Sequence, residues 1–175
     1  MKKILLENLM KGFVGESQAR NRYTLYASTA KKESYLQISE IFLITAEQEK
    51  EHAEWFWKMM EIVKKDIGEE MDEVELAQPA FVKRWTTLEN LQYAIDGEHH
   101  EYDKLYPEFA KLAEEEWYPE IANRIRAIMI SEMHHEERYI KLHDQFKGGT
   151  LMKKSEDVEW MCTKCGYVHK GKKST

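Results

Sequence analysis

The chain has 175 residues, which is enough for one domain with a sizeable core and a short appendage. Its 26 basic and 32 acidic residues give a net charge of −6, and this mild acidity argues against a nucleic-acid partner. No apolar run reaches the roughly 18 residues of a membrane span, and polar residues interrupt the basic N-terminal segment where a signal peptide needs an apolar core. Because the chain has only two cysteines, a secreted disulfide framework is excluded, and we expect a cytoplasmic protein without a membrane partner.

The first predicted helix covers residues 5–31, where apolar residues recur at the spacing of one helix face. Glu16 interrupts the apolar character of that face. The segment Ser34–Gln37 follows, with the serine and the glutamine of a capping box three residues apart. In such a box the two side chains satisfy the first free backbone amides, so the segment predicts the start of a second helix.

The second predicted helix has a regular apolar stripe from Ile38 to Val63. Glu49 and His52 occupy two consecutive positions of this stripe, where Leu or Ile is expected. An ionised glutamate in a core is strongly unfavourable unless a partner compensates its charge, so the stripe predicts a buried partner for both side chains. Residues 66–83 then form a long connection without a clear period, which suits a crossing from one end of a bundle to the other.

The third predicted helix starts at a second capping box, Thr86–Glu89. Its apolar stripe is interrupted by Glu98. Beyond that residue the stripe is predicted to continue through Tyr102, Leu105, Phe109 and Leu112. Pro107 is expected to kink this helix, because proline removes a backbone hydrogen bond and clashes with the preceding turn.

The fourth predicted helix begins at Pro119 and ends at the pair Gly148-Gly149. Its apolar stripe contains Glu132 and His135, again three residues apart and again at positions that belong to the core. The fourth helix therefore repeats the pattern of the second.

The two halves of the chain form an internal repeat. The Glu-x-x-His pairs recur at an offset of 83 residues, and the lone glutamates of the preceding helices recur at an offset of 82. One such glutamate is commonly a core carboxylate bonded to an arginine or a helix end, but six residues repeated in the same order predict a shared site. This pattern is that of di-iron and di-manganese carboxylate bundles. The six candidate ligands are Glu16, Glu49, His52, Glu98, Glu132 and His135.

Carboxylate and imidazole donors favour iron or manganese over softer metals, and charge does not decide between these two. Glu101 is a possible fifth carboxylate, three residues after Glu98, whereas Ala19 stands at the equivalent position of the first half. Spacing alone also allows Glu101 to be a solvated residue of the helix face. Tyr23 and Tyr102 lie near the stripes, as core residues or as hydroxyl donors to ligand carboxylates.

The segments that carry these residues resemble the rubrerythrin family. They are Gly15–Tyr23, Glu49–Ala53, Gly97–Tyr102 and Glu132–Glu136, and Trp160–His169 resembles the first cysteine knuckle of the family's rubredoxin-like domain. The resemblance implies an all-α, ferritin-like four-helix bundle with one long crossover connection over residues 1–147. It implies that residues 148–175 are a short irregular tail, made of a linker and a truncated rubredoxin-like segment.

The resemblance also implies a function, namely an oxo-bridged di-iron centre that reduces hydrogen peroxide to water in oxidative-stress defence. Glu101 then joins the six candidate ligands as a catalytic metal-binding residue, and one iron exchanges Glu101 for His52 on reduction. Electrons are implied to come from a rubredoxin-type donor, and ultimately from NADH through a reductase. A homodimer is implied, in which electrons pass from the cysteine-bound iron of one subunit to the di-iron centre of the other.

The tail departs from the family pattern, because it has a single Cys-x-x-Cys knuckle, Cys162 and Cys165, where the family has two. Two thiolates are half of a tetrahedral site. His169 is one candidate for a third ligand. The other interpretations are a second knuckle lost by truncation or frameshift, and two chains that pool their cysteines around one iron or zinc.

Two functional alternatives stay open at the level of sequence. One is a ferroxidase or iron-storage protein, with the same bundle and ligands but with oxygen as the oxidant. The other is a metal-binding module that responds to peroxide without catalysis.

Overall fold

The computed structural model describes residues 1–68, 73, 75–77, 79 and 85–174. Its helical part is the predicted bundle of four long helical stretches. The first two are α1 (Lys2–Lys32) and α2 (Leu36–Ile67). The third consists of α3 (Thr87–His100), a π-helical turn (Glu101–Leu105) and α4 (Tyr106–Glu115), and the fourth is α5 (Pro119–Lys147). Most of the predicted crossover connection lies outside the described residues.

The core consists of two apolar clusters, one towards each end of the bundle. The first includes Leu9, Phe56 and Ile125, and the second includes Phe42 and Leu91. The stripe predicted for α2 is confirmed, since all eight of its members are buried. That outcome follows from the 3.6-residue period, which places every member on the same helix face.

The turn between α1 and α2 differs from the prediction, because Ser34 closes α1 and does not cap α2. Ser34 has a φ of +69°, and its backbone N–H donates to the Lys31 carbonyl at 3.1 Å. The Tyr35 N–H donates to the Ala30 carbonyl at 2.8 Å, which completes a Schellman motif. Tyr35 is therefore the N-cap of α2, without a side-chain cap, and the predicted capping box is wrong.

The turn between α4 and α5 has the same geometry. Trp117 has a φ of +67°, its N–H donates to the Glu114 carbonyl at 3.0 Å, and the Tyr118 N–H donates to the Ala113 carbonyl at 2.8 Å. The internal repeat thus extends from the stripes to the turns that join the helices.

The capping box predicted at the start of α3 is confirmed. The Thr86 side chain accepts a hydrogen bond from the Glu89 N–H, and the Glu89 carboxylate accepts one from the Thr86 N–H at 3.0 Å. This reciprocal pair fixes the N-terminus of the helix that carries Glu98.

The kink expected near Pro107 takes the form of the π-helical turn. Proline has no N–H to donate, and its ring excludes regular helical geometry in the preceding turn. The turn adds one residue to the helix and rotates everything after it, so that Tyr106 and Phe109 are buried. The predicted stripe is therefore wrong beyond Glu98, except at Phe109. Three of its members are only half-buried, namely Tyr102, Leu105 and Leu112.

The tail was expected to be irregular, and that expectation is wrong. Strands β1 (Lys153–Met161) and β2 (Val168–Lys173) pair as an antiparallel hairpin. Leu151, just before β1, is buried in the second apolar cluster and attaches the tail to the bundle. Most hairpin side chains are exposed, so the segment lacks the apolar alternation by which strands are recognised.

None of the described helices combines the length with the apolar character that a bilayer-spanning helix requires.

Candidate di-metal centre

Four helical stretches bring the six candidate ligands together between the two apolar clusters. All six are buried residues, each with at most 8% of its surface exposed. One glutamate comes from α1, a Glu-x-x-His pair from α2, one glutamate from α3 and a second pair from α5. A Glu and a His three residues apart share one helix face, so each pair points into the bundle as a unit.

The donor atoms form two overlapping groups of four. One group joins His52 and Glu16 to the glutamates of both pairs, and the other joins His135 and Glu98 to the same two glutamates. Within each group, one donor atom from every residue lies within 4.8 Å of the others. The two glutamates that the groups share are Glu49 and Glu132. This arrangement is that of two neighbouring cation positions linked by two carboxylates.

Both histidines face the carboxylates through Nδ1. The Nδ1 atom of His52 lies 2.9 Å from Glu49 Oε2 and 2.8 Å from Glu132 Oε1. The Nδ1 atom of His135 lies 2.8 Å from Glu132 Oε2 and 3.1 Å from Glu49 Oε1. The outer nitrogen of His135, Nε2, is 3.1 Å from Gln48 Oε1. A proton on Nε2 that donates to this amide leaves the Nδ1 lone pair free for a metal.

The electrostatics of the site call for positive charge. Burial and the neighbouring carboxylates raise the pKa values of Glu16 and Glu132 well above the usual range. Burial also acts to raise the pKa of Glu49, but the His135 and His52 imidazoles beside it outweigh burial and lower this pKa to about 2. For His135, burial is outweighed by the three glutamates around its ring, which raise its pKa to about 12. The site thus favours positive charge, from protons or from metal cations, beside its carboxylates.

The residues fit a pair of metal ions. Among the described residues, buried carboxylate oxygens without a hydrogen-bond partner are concentrated here: Glu16 Oε2, Glu49 Oε1, Glu98 Oε2 and both oxygens of Glu132. Buried polar atoms are normally satisfied, and unsatisfied ones indicate a missing ion or ligand. A donor set of carboxylates and imidazoles suits iron or manganese.

Two buried tyrosines orient Glu16 and Glu98, the lone glutamates of α1 and α3. The Tyr23 hydroxyl donates to Glu98 Oε1, and the Tyr106 hydroxyl donates to Glu16 Oε1. Each tyrosine belongs to one half of the bundle and each accepting carboxylate to the other half. Because the second oxygen of each of these glutamates has no hydrogen-bond partner, it is the one available to a metal.

The sequence offers Tyr102 as a hydroxyl donor to a ligand carboxylate, and in the structure Tyr106 donates in this way. The Tyr102 hydroxyl instead donates to Glu136 Oε2 at 2.7 Å and lies 2.8 Å from His99 Nδ1. The repeat gives the physical reason, since the position equivalent to Tyr102 in the first half is Arg20, which is exposed. The sequence carries a signal for Tyr106, because it follows Tyr23 by 83 residues, the offset of the repeat beyond the π-helical turn.

Glu101 lies outside both groups of donors. It is half-buried, in contrast to the six other candidates, and it lines a cavity of about 540 Å³ between α1 and α3. Burial, then Glu98 and Glu49, raise the pKa of Glu101 well above the usual carboxyl range. Its counterpart Ala19 is a buried apolar residue, so the two cation positions have different surroundings.

The cysteine pair lies in the turn of the C-terminal hairpin and is exposed. The Gly166 N–H donates to the Cys162 carbonyl at 2.8 Å, with Gly166 at a φ of +74°. Backbone N–H groups of Cys165 and Lys164 lower the pKa of the Cys162 thiol. Within the described residues the pair does not join a group of three or more clustered His, Cys, Asp and Glu donors, and this holds for the candidate His169 as well.

A four-helix bundle with two lone glutamates and two Glu-x-x-His pairs defines the class of ferritin-like di-metal carboxylate proteins. Within this class, the chain belongs to the rubrerythrin family, whose model matches residues 7–143. The predicted ferritin-like fold and the predicted family are thereby confirmed. Members of this family are di-iron proteins of oxidative-stress defence, and the buried Glu and His groups are compatible with such a centre.

The similarity to known proteins extends over nearly the whole chain. The rubrerythrin of Clostridium perfringens is 48% identical over 94% of this chain and 83% of the relative. The rubrerythrin of Nitratidesulfovibrio vulgaris is 41% identical over 94% of this chain and 82% of the relative. A solved structure of nigerythrin in a mixed-valence state has 28% identity and a TM-score of 0.69, over 95% of this chain and 76% of that one.

Proposed function

We propose that the protein is a non-haem di-iron peroxidase that reduces hydrogen peroxide to water, with electrons from a rubredoxin-type donor. The observation that carries this proposal is the pair of donor groups that share Glu49 and Glu132. Two ferrous ions side by side can together deliver the two electrons that one peroxide takes up. The family supports iron as the metal and peroxide with rubredoxin-like donors as the partners.

The bound irons would supply two electrons to the O–O bond of hydrogen peroxide, which with two protons gives two molecules of water. The chain supplies the geometry. Glu49 and Glu132, which both donor groups share, would hold both irons, and each histidine would hold one of them. The apolar clusters above and below exclude water, so that the charges act in a medium of low dielectric constant.

Two tyrosine hydrogen bonds link the two halves of the site. Tyr23 and Tyr106 each hold one oxygen of a glutamate from the opposite half, which leaves the other oxygen directed at a metal position. Hydrogen bonds of this kind orient ligating carboxylates and adjust their basicity.

We further propose that Glu101 and His52 alternate as ligands of one iron, as in the family pattern. His52 is a member of one donor group, while Glu101 lies outside both groups and lines the cavity. The raised pKa of Glu101 favours the protonated form of this carboxyl group when it is not bound to a metal. Glu101 is therefore placed to deliver a proton on the side of the site where water leaves.

We assign residues 1–147 to the catalytic bundle and residues 148–175 to a linker with a rubredoxin-like segment. Cys162 and Cys165 supply two thiolates, and iron or zinc at this place needs two further donors. We also propose a homodimer, in which another chain supplies these two further donors.

The test uses protein loaded with iron and reduced without oxygen. One equivalent of hydrogen peroxide is expected to reoxidise the centre rapidly, and turnover is expected when NADH, a reductase and a rubredoxin-type donor are added. Oxidation that is faster with oxygen than with peroxide, with ferric iron as the accumulating product, would favour the ferroxidase alternative. Reoxidation by peroxide without turnover in the presence of the donor would favour a module that only responds to peroxide.

A further inference from the structure

A cavity of about 540 Å³ lies between α1 and α3, and Ala77 and Pro79 of the crossover connection also line it. On the α1 side it is lined by Gly15, Gln18 and Arg22, and on the α3 side by Gly97, with Glu101 at the start of the π-helical turn. These residues follow helical spacing on both helices, so the cavity runs along the two helices and is not a local defect.

Of the seven candidate ligands, Glu101 is the one that lines this cavity. The six others have at most 8% of their surface exposed, and Glu101 alone among the seven is half-buried. Gln18 adds a side-chain amide to the cavity wall. A small solute that forms hydrogen bonds therefore finds polar groups in the cavity beside one candidate ligand.

Gly97 has no local reason to be glycine. It lies inside α3, where glycine is less favourable than alanine, and its φ is not in the left-handed region. Gly12, in α1, shows the contrast, because a Cβ added there would meet the Phe56 ring at 2.5 Å. A Cβ added to Gly97 meets no atom of the described residues within 4 Å. The space beside Gly97 is the cavity itself.

We infer that the cavity between α1 and α3 is the route by which small solutes reach the metal positions, and that Gly97 keeps this route open. Helical side chains lean towards the N-terminus of their helix, so the side chain of Glu101 extends over Gly97, one turn earlier. A side chain at position 97 would fill the space through which the solute passes and Glu101 moves. That the solute is hydrogen peroxide rests on the proposed function.

The experiment measures access separately from peroxidase activity. Nitric oxide binds ferrous ions whether or not a protein is a peroxidase, and its size is close to that of peroxide. Its association with the iron-loaded, reduced protein is followed by stopped-flow absorbance for wild type, Gly97→Leu and the control Thr24→Leu. Thr24 is exposed on α1, and among the described residues its side chain donates to the Arg20 carbonyl of its own helix.

We expect Gly97→Leu to slow the association of nitric oxide about tenfold or more, which corresponds to about 1.4 kcal/mol added to the barrier for access. The iron content of this variant and the rate of Thr24→Leu should match those of wild type. An association rate in Gly97→Leu equal to that of wild type, at equal iron content, would overturn the inference.

Gly97→Ala is the second variant, and it serves if Gly97→Leu does not fold. Since alanine is the better helix former, its melting temperature should rise by about 2–4 °C, while nitric oxide associates more slowly than in wild type. A rise in melting temperature with an unchanged rate would contradict the inference. Hydrogen peroxide gives a separate result: if wild type binds nitric oxide at a rate that depends on position 97 but is not oxidised by peroxide, the route stands and the proposed function fails.

Discussion

The two halves of the bundle are alike in their donors and different in one turn. The half formed by α1 and α2 and the half formed by α3 to α5 each contribute a lone glutamate, a Glu-x-x-His pair and a buried tyrosine. The difference is Glu101 with its π-helical turn, at the place where the first half has Ala19 in regular helix. The likeness creates two similar groups of donor atoms, and the difference makes their surroundings unequal.

The π-helical turn shows how a repeat can acquire an additional residue without losing its contacts. The repeat offset is 82 residues at Glu16 and Glu98, and it becomes 83 at Tyr23 and Tyr106. The extra residue lies within the π-helical turn, which lets Tyr106 reach Glu16 just as Tyr23 reaches Glu98. The inequality is thereby confined to Glu101, where the proposed ligand exchange takes place.

The largest effect is expected where both halves depend on the same residue. Glu132→Gln removes one of the two shared carboxylates, so both irons should be lost, whereas Glu98→Gln should lose only one. Elemental analysis of iron per chain measures this difference. Glu137→Gln, an exposed change on the same helix, is the control and should retain both irons. Two irons in Glu132→Gln would contradict the shared role.

Replacing Glu101 tests whether the difference between the two halves matters for the reaction with peroxide. Glu101→Ala gives the second half the residue that the first half has at this position. The bundle should keep its iron, while the rate of reoxidation by peroxide should fall by about 10²–10⁴-fold, the range typical for loss of a positioned proton donor. Stopped-flow reoxidation measures this rate, with the exposed Glu108→Ala as the matched control. A wild-type rate in Glu101→Ala would show that the asymmetry has no catalytic consequence.

The reciprocal tyrosines should give equal and smaller effects. Tyr23→Phe and Tyr106→Phe each remove one hydroxyl from a ligand carboxylate, and each should weaken iron binding about 10–100-fold. Tyr102→Phe should leave the affinity unchanged, because its hydroxyl contacts Glu136. Competition with a chelator measures the three affinities. Weaker iron binding in Tyr102→Phe than in Tyr106→Phe would show that Tyr102 is the more important hydroxyl donor to a ligand carboxylate.

The smallest effect concerns the two turns that share the Schellman geometry. A left-handed backbone is unfavourable for any residue with a Cβ, so Ser34→Gly and Trp117→Gly should each stabilise the fold by up to about 1 kcal/mol. Each melting temperature should rise by about 2–4 °C per kcal/mol. Ser34→Ala keeps the Cβ and should bring no gain. Opposite signs for the two glycine variants would show that the turns are not equivalent.

The clustering of the six glutamates and histidines could be predicted from the sequence because these residues interrupt apolar stripes. An ionisable residue at a core position is informative by itself, and the repeat pairs each one with a counterpart. Tyr106 was missed because a π-helical turn is a local insertion that periodicity, which assumes 3.6 residues per turn, does not show. Ser34 was misassigned because a serine three residues before a glutamine fits a capping box, while the competing closure of α1 depends on backbone geometry. The hairpin was missed because its strands are mostly exposed.

The central claim is that the two halves hold two irons between them. Anomalous diffraction at the iron edge from crystals of the iron-loaded protein tests it most directly. We predict two peaks separated by the carboxylates of Glu49 and Glu132, one beside Glu16 and His52 and the other beside Glu98 and His135. A single peak at this place, or iron only at the exposed cysteine pair, would contradict the account.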